Sequence, residues 1–323
     1  MIPVTVITGF LGSGKTTFIS RLLQSPDLAD TAVIVNEFGE TDLDHTLIAS
    51  SSENILQLMN GCICCTIRED LALELRNLYL LRTLGDVPRF NRVLIETTGL
   101  ADPVPIIHTF MANTELRKVY RMQSVITLVD AVVGARTLGD QDVSRRQVAL
   151  ADQLLISKTD IAAPAELASL RDVLTDINPA ASISNTRDFT VADLGRANYY
   201  PLPKNKSKME EWLGGQHALG HGSGIQTFTL KFEELMDLTD LILFFQELVN
   251  YQPEKLLRVK GLVAVEGKTA TPAVVHCIRD KVYPLVWLES WPANMKPATQ
   301  LVFITDGIKR GEIEQILKTV CGI

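Results

Sequence analysis

The sequence predicts an α/β fold with a mainly parallel sheet, followed by a smaller α+β unit. Three observations predict it. Short runs rich in Val, Ile and Leu alternate with amphipathic stretches over residues 1–197. A glycine-rich turn separates the first apolar run from the first amphipathic one. The alternation stops near Asn198, in a segment of prolines, glycines and a short basic run. Alternating strand and helix patterns imply parallel strands with helices on both faces. The chain has 323 residues, enough for two domains at ~100–200 residues each. The expected division is 1–197, a linker or mobile loop at 198–224, and a second domain at 225–323.

The expected strands of the first domain are Val4–Thr8, Ala32–Asn36, Arg92–Glu96, Val125–Val129, Leu154–Ser157 and Ser182–Ser184. Each is short and apolar, as strands buried on both faces are. Helices are expected at Lys15–Gln24, after the glycine turn, and at Glu69–Arg82, where Leu71, Leu75, Leu78 and Arg82 share a face. Another is expected at Ala165–Ile177, opened by Pro164 and closed by Asn178-Pro179. The second domain reads strand Gln226–Lys231, helix Leu238–Asn250, strand Leu257–Val265, strand Val274–Ile278 with a continuation toward Trp287, strand Gln300–Ile304 and helix Gly311–Val320. Its first helix carries Leu238, Leu241, Ile242, Phe245, Leu248 and Val249 on one stripe, expected to face the core.

Charge and composition exclude several classes. The net charge is −7, which argues against a general nucleic-acid binder. No apolar run reaches the ~20 residues that span a bilayer, and the N-terminus lacks the basic start and cleavage site of a leader. A soluble, cytoplasmic protein without membrane partners is expected. Five cysteines in so long a chain do not build a disulfide framework.

"GFLGSGKT", Gly9 to Thr16, matches G-x-x-x-x-G-K-[ST] at every fixed position. A strand precedes it and a helix follows, the context a phosphate-binding loop requires. Backbone N–H groups and the positive helix end would surround phosphates. Gly9, Gly12, Ser13 and Gly14 form the loop, and Thr17 follows it. Lys15 is expected on the β- and γ-phosphates and Thr16 on Mg²⁺. The first domain is therefore expected to be a P-loop NTPase.

Two further strand ends carry chemistry. "LLISKTD" ends a buried strand in Ser157-Lys158-Thr159-Asp160, which resembles the N-K-x-D element of GTPases. A carboxylate at Asp160 would accept from guanine N1–H and N2–H₂, a donor pair adenine lacks. The stem of Lys158 would cover the ring. Serine in place of asparagine departs from that element and is expected to loosen the turn. "RVLIETTGLADP" ends another strand in Glu96, followed by Gly99. Glu96 is expected to order Mg²⁺ or a metal-bound water. Gly99 is expected to donate its N–H to the γ-phosphate, a bond that disappears on hydrolysis.

Between these elements lie "NEFGETDLD", with Glu37, Glu40, Asp42 and Asp44, and "NGCICC", with Cys62, Cys64 and Cys65. The acids outnumber the one or two carboxylates that Mg²⁺ takes. Carboxylate and thiolates together suit a borderline cation such as Zn²⁺. C-x-C-C is neither the C-x₂-C of a structural knuckle nor the usual redox spacing. An open, exchangeable metal site is expected, with thiol oxidation as the rival reading. Cys277, Cys321, His108 and His276 are read as structural, and His217 and His221 as a weak accessory metal pair.

"GFLGSGKTT", "NEFGE", "NGCICC", "ETTGLADP" and "SKTD" occur here in the order and spacing of the CobW-like family of P-loop GTPases. That family is related to the GTPases that help insert nickel into hydrogenase and urease. The resemblance covers almost the whole chain, including the C-terminal domain. It implies a GTP-hydrolysing metallochaperone for zinc or cobalt, with Cys64 the leading ligand and Glu40 its partner. Glu37, Cys62 and Cys65 complete the candidate set. GTP and GDP, a divalent transition metal and a client metalloprotein are the implied partners, and the C-terminal domain would contact the client or a second subunit in a homodimer. This chain departs from some relatives at Val35, where they carry an acid, and at Asn113, where they carry a histidine. Two other readings stand beside this one: a non-catalytic nucleotide-gated regulator and a P-loop small-molecule kinase.

Overall fold

The structure, a computed structural model, describes residues 1–36, 46–49, 55–58, 67–195, 224–292 and 295–323. They fall into two compact units. One holds the described residues of 1–147, 151–167 and 183–201, the other those of 148–150, 168–182 and 202–323.

The first sheet contains β1 (Ile2–Gly9), β2 (Thr31–Asn36), β3 (Thr46–Ala49), β4 (Ile55–Leu58), β5 (Arg92–Thr97), β6 (Tyr120–Asp130), β7 (Gln153–Ser157) and β8 (Ser182–Asn185). Their spatial order is β4-β3-β2-β5-β1-β6-β7-β8. β2, β5, β1, β6 and β7 run parallel to one another. Every expected strand is present within a few residues. The strands β3 and β4 were not expected: they pair antiparallel beside β2 and make the sheet mixed. They are four residues each, too short for a period to stand out in the sequence.

The helices are α1 (Lys15–Leu23), α2 (Ile67–Leu84), α3 (Val104–Ala112), α4 (Thr114–Val119), α5 (Gly134–Asp140), α6 (Asp142–Leu150) and α7 (Pro164–Ile177). α1 buries Phe18, Ile19 and Leu22 against Ile7, Val33, Leu94, Ile126, Leu128 and Leu155 of five adjacent strands. This packing seats the helix directly behind the glycine turn. Asn113 caps α4 by accepting from the N–H groups of Glu115 and Leu116, both at 3.1 Å. An N-cap of this kind gives the residue a structural role.

The second sheet contains β9 (Ile225–Phe232), β10 (Leu256–Val263), β11 (Ala273–Ile278), β12 (Lys281–Val282), β13 (Val286–Trp287) and β14 (Thr299–Asp306). It is antiparallel throughout. The helices α8 (Leu238–Tyr251) and α9 (Arg310–Cys321) join its core. Leu241, Phe244, Phe245 and Leu248 of α8 and Ile313 and Leu317 of α9 meet Phe228, Leu230, Val259, Val275, Leu301 and Phe303. The expected stripe on α8 is wrong at two places. Leu238 and Ile242 are exposed, at 38% and 47%, while Phe244 is fully buried. The buried face is thus turned toward Phe244, a rotation the periodicity alone does not fix. Leu248→Ala is expected to cost about 2–5 kcal/mol in chemical unfolding, and Ile242→Ala less than about 0.5 kcal/mol.

His276 on β11 is buried and accepts from Arg258 Nε at 3.2 Å. The Tyr283 ring stacks on it at 4.7 Å. Burial, then the charges of Arg258 and Lys260, hold its pKa well below the ordinary value. Folded His276 is neutral, whereas the unfolded chain takes up a proton near pH ~6.5. Stability should therefore fall as the pH drops below about 6.5. Denaturation between about pH 5 and 8 should show this dependence, and His276→Gln should flatten it.

Candidate functional site

Parallel pairing sets the site. β1 lies between β5 and β6, with Ile7 opposite Glu96 and Gly9 opposite Leu128. The carboxyl ends of β1, β5, β6 and β7 thus reach one edge, where ligands bind in open α/β sheets. Gly9 ends β1, Gly12 stands in the exposed part of the loop, and Gly14 precedes α1. Gly14 has φ +88°, a left-handed conformation that a side chain would strain. It lets the loop turn directly into the helix, so the free N–H groups of the first turn point at the loop's interior.

The catalytic candidates converge here. Lys15 is buried, and its Nζ donates to the carbonyls of Gly9 at 2.9 Å and Phe10 at 3.3 Å. Thr16 and Thr17 are exposed at the start of α1. Thr16 Oγ1 donates to Glu96 Oε1 at 2.7 Å, across 80 residues of sequence. Glu96 is only 4% exposed. Ser13 is buried, and its Oγ has no hydrogen-bond partner among the described residues.

Gly99 is buried against the phosphate loop. A Cβ there would lie 2.6 Å from the backbone nitrogen of Leu11, inside any real contact distance. Gln147, which stands in none of the motifs, holds this segment by donating to Ala101 O at 2.9 Å and Gly99 O at 3.3 Å. Its signal in the sequence is weak, because a lone glutamine on a helix is ordinary.

The turn after β7 is tied rather than loosened by its serine. Ser157 is buried and donates to Ser13 O at 2.7 Å, joining the end of β7 to the phosphate loop. The short serine side chain reaches that carbonyl, so the expected looseness does not arise. Lys158 takes the left-handed conformation at φ +55°. Its Nζ lies 2.5 Å from Oδ2 of Asp130, which ends β6. The other oxygen of Asp130 accepts from the N–H groups of Val132 at 2.8 Å and Val133 at 3.2 Å. Asp130 is likewise absent from the expected site residues; an acid closing an apolar strand, as in "TLVDAVV", is the signal that marks it. Asp160 is exposed and ion-paired with Arg187, Nη2 to Oδ2 at 2.9 Å.

The remaining candidates, Glu37, Glu40, Cys62, Cys64 and Cys65, lie outside the described residues, as do His217 and His221. Among the described residues there is no cluster of metal-ligating side chains. None of the described helices is long and apolar enough to cross a membrane. The described cysteines are structural in character. Burial raises the thiol pKa of Cys277 far above its usual value and that of Cys321 to about 11, so neither forms a reactive thiolate.

A glycine loop between strand and helix, a lysine and threonine behind it, and an acid at the neighbouring strand tip define a P-loop nucleotide-binding protein. Comparison with known proteins narrows the class. Residues 3–185 match the family described as CobW/HypB/UreG, nucleotide-binding domain, and residues 225–321 match the cobalamin synthesis protein cobW C-terminal domain. The chain belongs to the CobW/HypB/UreG family. It is 32% identical over 324 residues to the zinc chaperone YjiA of Escherichia coli, covering 100% of this chain and 98% of that protein. It is 30% identical to the zinc chaperone CobW of a Sinorhizobium species, covering 94% and 92%. The crystal structure of Zn(II)-bound YjiA GTPase from E. coli superposes with a TM-score of 0.74 at 27% identity, covering 99% of this chain and 98% of that one.

Gly99→Ala should push the phosphate loop off its position. Nucleotide affinity is expected to fall roughly tenfold or more, about 1.4 kcal/mol, with little change in the far-UV circular dichroism spectrum.

Proposed function

We propose that this protein is a GTP-hydrolysing metallochaperone that couples nucleotide state to binding and delivery of a transition metal. The observation that carries the nucleotide half is the bond from Ser157 to Ser13. It ties the turn that carries Asp160 to the phosphate loop, which supports reading the two as one site. The metal half is supported by "NEFGE" and "NGCICC" and by the zinc-chaperone names of full-length relatives.

In this reading the loop Gly9–Thr16 binds the phosphates, and Lys15 exchanges its two carbonyl partners for β- and γ-phosphate oxygens. That exchange replaces neutral acceptors with anionic ones and adds the attraction of opposite charges. Asp160 accepts from guanine N1–H and N2–H₂ and rejects adenine. Thr16 and Glu96 already meet through their oxygens, a donor set that suits Mg²⁺; bound there, the ion would neutralise charge developing on the phosphate oxygens. Gly99 donates its N–H to the γ-phosphate, and Gln147 holds it in reach. Water attacks the γ-phosphorus, the bond to the β-bridging oxygen breaks, and GDP and phosphate leave. Departure of the γ-phosphate removes the acceptor of the Gly99 N–H, so the state of the segment follows hydrolysis.

The metal is cargo rather than a resident group. Cys64 and Glu40, with Glu37, Cys62 and Cys65, are the proposed ligands, for Zn²⁺ or Co²⁺. Linkage then makes coupling reciprocal: if GTP changes metal affinity, metal changes GTP affinity by the same factor. Delivery goes to a client metalloprotein, with the second domain as the contact to that client or to a second subunit, and the setting is the cytoplasm.

Calorimetric titration of GTP with and without stoichiometric Zn²⁺ or Co²⁺, on wild type and Cys64→Ala, tests this reading. Metal should shift GTP affinity in wild type, and Cys64→Ala should remove the shift. Equal affinities in all four titrations would sink the coupling. Lys15→Ala should weaken GTP by about 3 kcal/mol, roughly a hundredfold.

A further inference from the structure

The side chain proposed to read guanine is already engaged. Arg187 Nη2 lies 2.9 Å from Asp160 Oδ2, with the two side chains 63% and 44% exposed. An ion pair this open to water is worth at most about 1 kcal/mol, so a nucleobase displaces it easily. What keeps Arg187 at this place is its backbone. The short turn Thr186–Asp188 follows β8. Arg21 of α1 donates to the carbonyls of Thr186, Arg187 at 3.2 Å and Phe189 at 3.3 Å. Phe189 packs edge-on against Phe18 of the same helix, with centroids 5.4 Å apart. The helix that starts at the phosphate loop therefore also carries the turn that presents Arg187. The backbone of Arg187 is held by Arg21, while its guanidinium is largely exposed to solvent.

The other cation of the turn is committed elsewhere, since Lys158 Nζ is bound to Asp130. Guanine paired edge-on with Asp160 uses both carboxylate oxygens in the plane of the ring. The group standing against that carboxylate must then leave the plane. For a guanidinium this is a short movement onto the ring face, and its planar, delocalised charge stacks well on aromatic rings.

We propose that Arg187 is the stacking residue of the nucleotide site: it guards Asp160 when the site is empty and lies on the purine face when it is filled. The proposal rests on the assignment of guanine to Asp160. Stacking is indifferent to base identity, because every base has a π-face. Arg187 thus supplies affinity and Asp160 supplies selectivity.

Equilibrium titration of GDP, XDP and ADP on wild type, Arg187→Ala, Arg187→Lys and Asp160→Asn separates the two roles. Arg187→Ala should weaken GDP and XDP alike, about tenfold, within the ~1–3 kcal/mol of a base stack. Arg187→Lys, which keeps the charge but not the plane, should fall between. Asp160→Asn replaces an acceptor with a donor and should move preference from GDP toward XDP. If Arg187→Ala binds GDP as tightly as wild type or more tightly, Arg187 only competes for Asp160 and the stacking role is wrong. If it changes the GDP-to-XDP ratio, the arginine reads a base edge instead. If Asp160→Asn leaves that ratio unchanged, guanine is not held at Asp160 and the stacking site falls with that assignment.

Discussion

The site depends on the parallel registration of β1 between β5 and β6. That pairing sets Ile7 beside Glu96 and Gly9 beside Leu128. It delivers a glycine loop, the carboxylate of Glu96 and the turn after β7 to one edge of the sheet. The bond between Thr16 and Glu96, 2.7 Å long and spanning 80 residues, exists only because of it. So does the bond from Ser157 to Ser13. Strand β2 extends the same logic, since Asn36 pairs with Thr97. Asn36, the first residue of "NEFGE", therefore ends its strand beside the strand that carries Glu96.

Several polar groups of the site are held by other parts of the protein. Lys15 rests on two loop carbonyls, Thr16 on Glu96, Lys158 on Asp130 and Asp160 on Arg187. A buried polar group left without a partner costs about 1–3 kcal/mol. For buried Lys15 and Glu96 these bonds avoid that cost. The hydroxyl of Ser13 differs from the rest, being buried without a described partner.

The second unit contributes a different kind of order. Its sheet is antiparallel and its core is dense with Phe228, Phe244, Phe245 and Phe303. The stacking of Phe228 on Phe303, with centroids 5.2 Å apart, joins neighbouring strands at the centre of that core. Outside that core Arg258 pairs with His276, where burial keeps the imidazole neutral and able to accept the arginine's N–H. Such a pair holds register between β10 and β11 while remaining sensitive to acid.

The sequence by itself determined the order of the parallel strands β1, β2, β5, β6 and β7 along the chain, because each holds a run of Val, Ile and Leu with glycine or polar residues at its end. It also marked the glycine loop, Glu96 and Asp160 as candidates, since motif spacing encodes local backbone chemistry. Only the tertiary structure decided that β3 and β4 close one edge of the sheet antiparallel, because four-residue strands carry no readable period. It turned α8 so that Phe244 is buried and Ile242 exposed, because a helix rotates to fit the sheet beneath it. And it set Asp130 beside Lys158, Gln147 beneath Gly99 and Arg187 against Asp160. Those pairs join residues from different strands, helices and turns, and no local pattern in a chain records which of them the sheet will bring together.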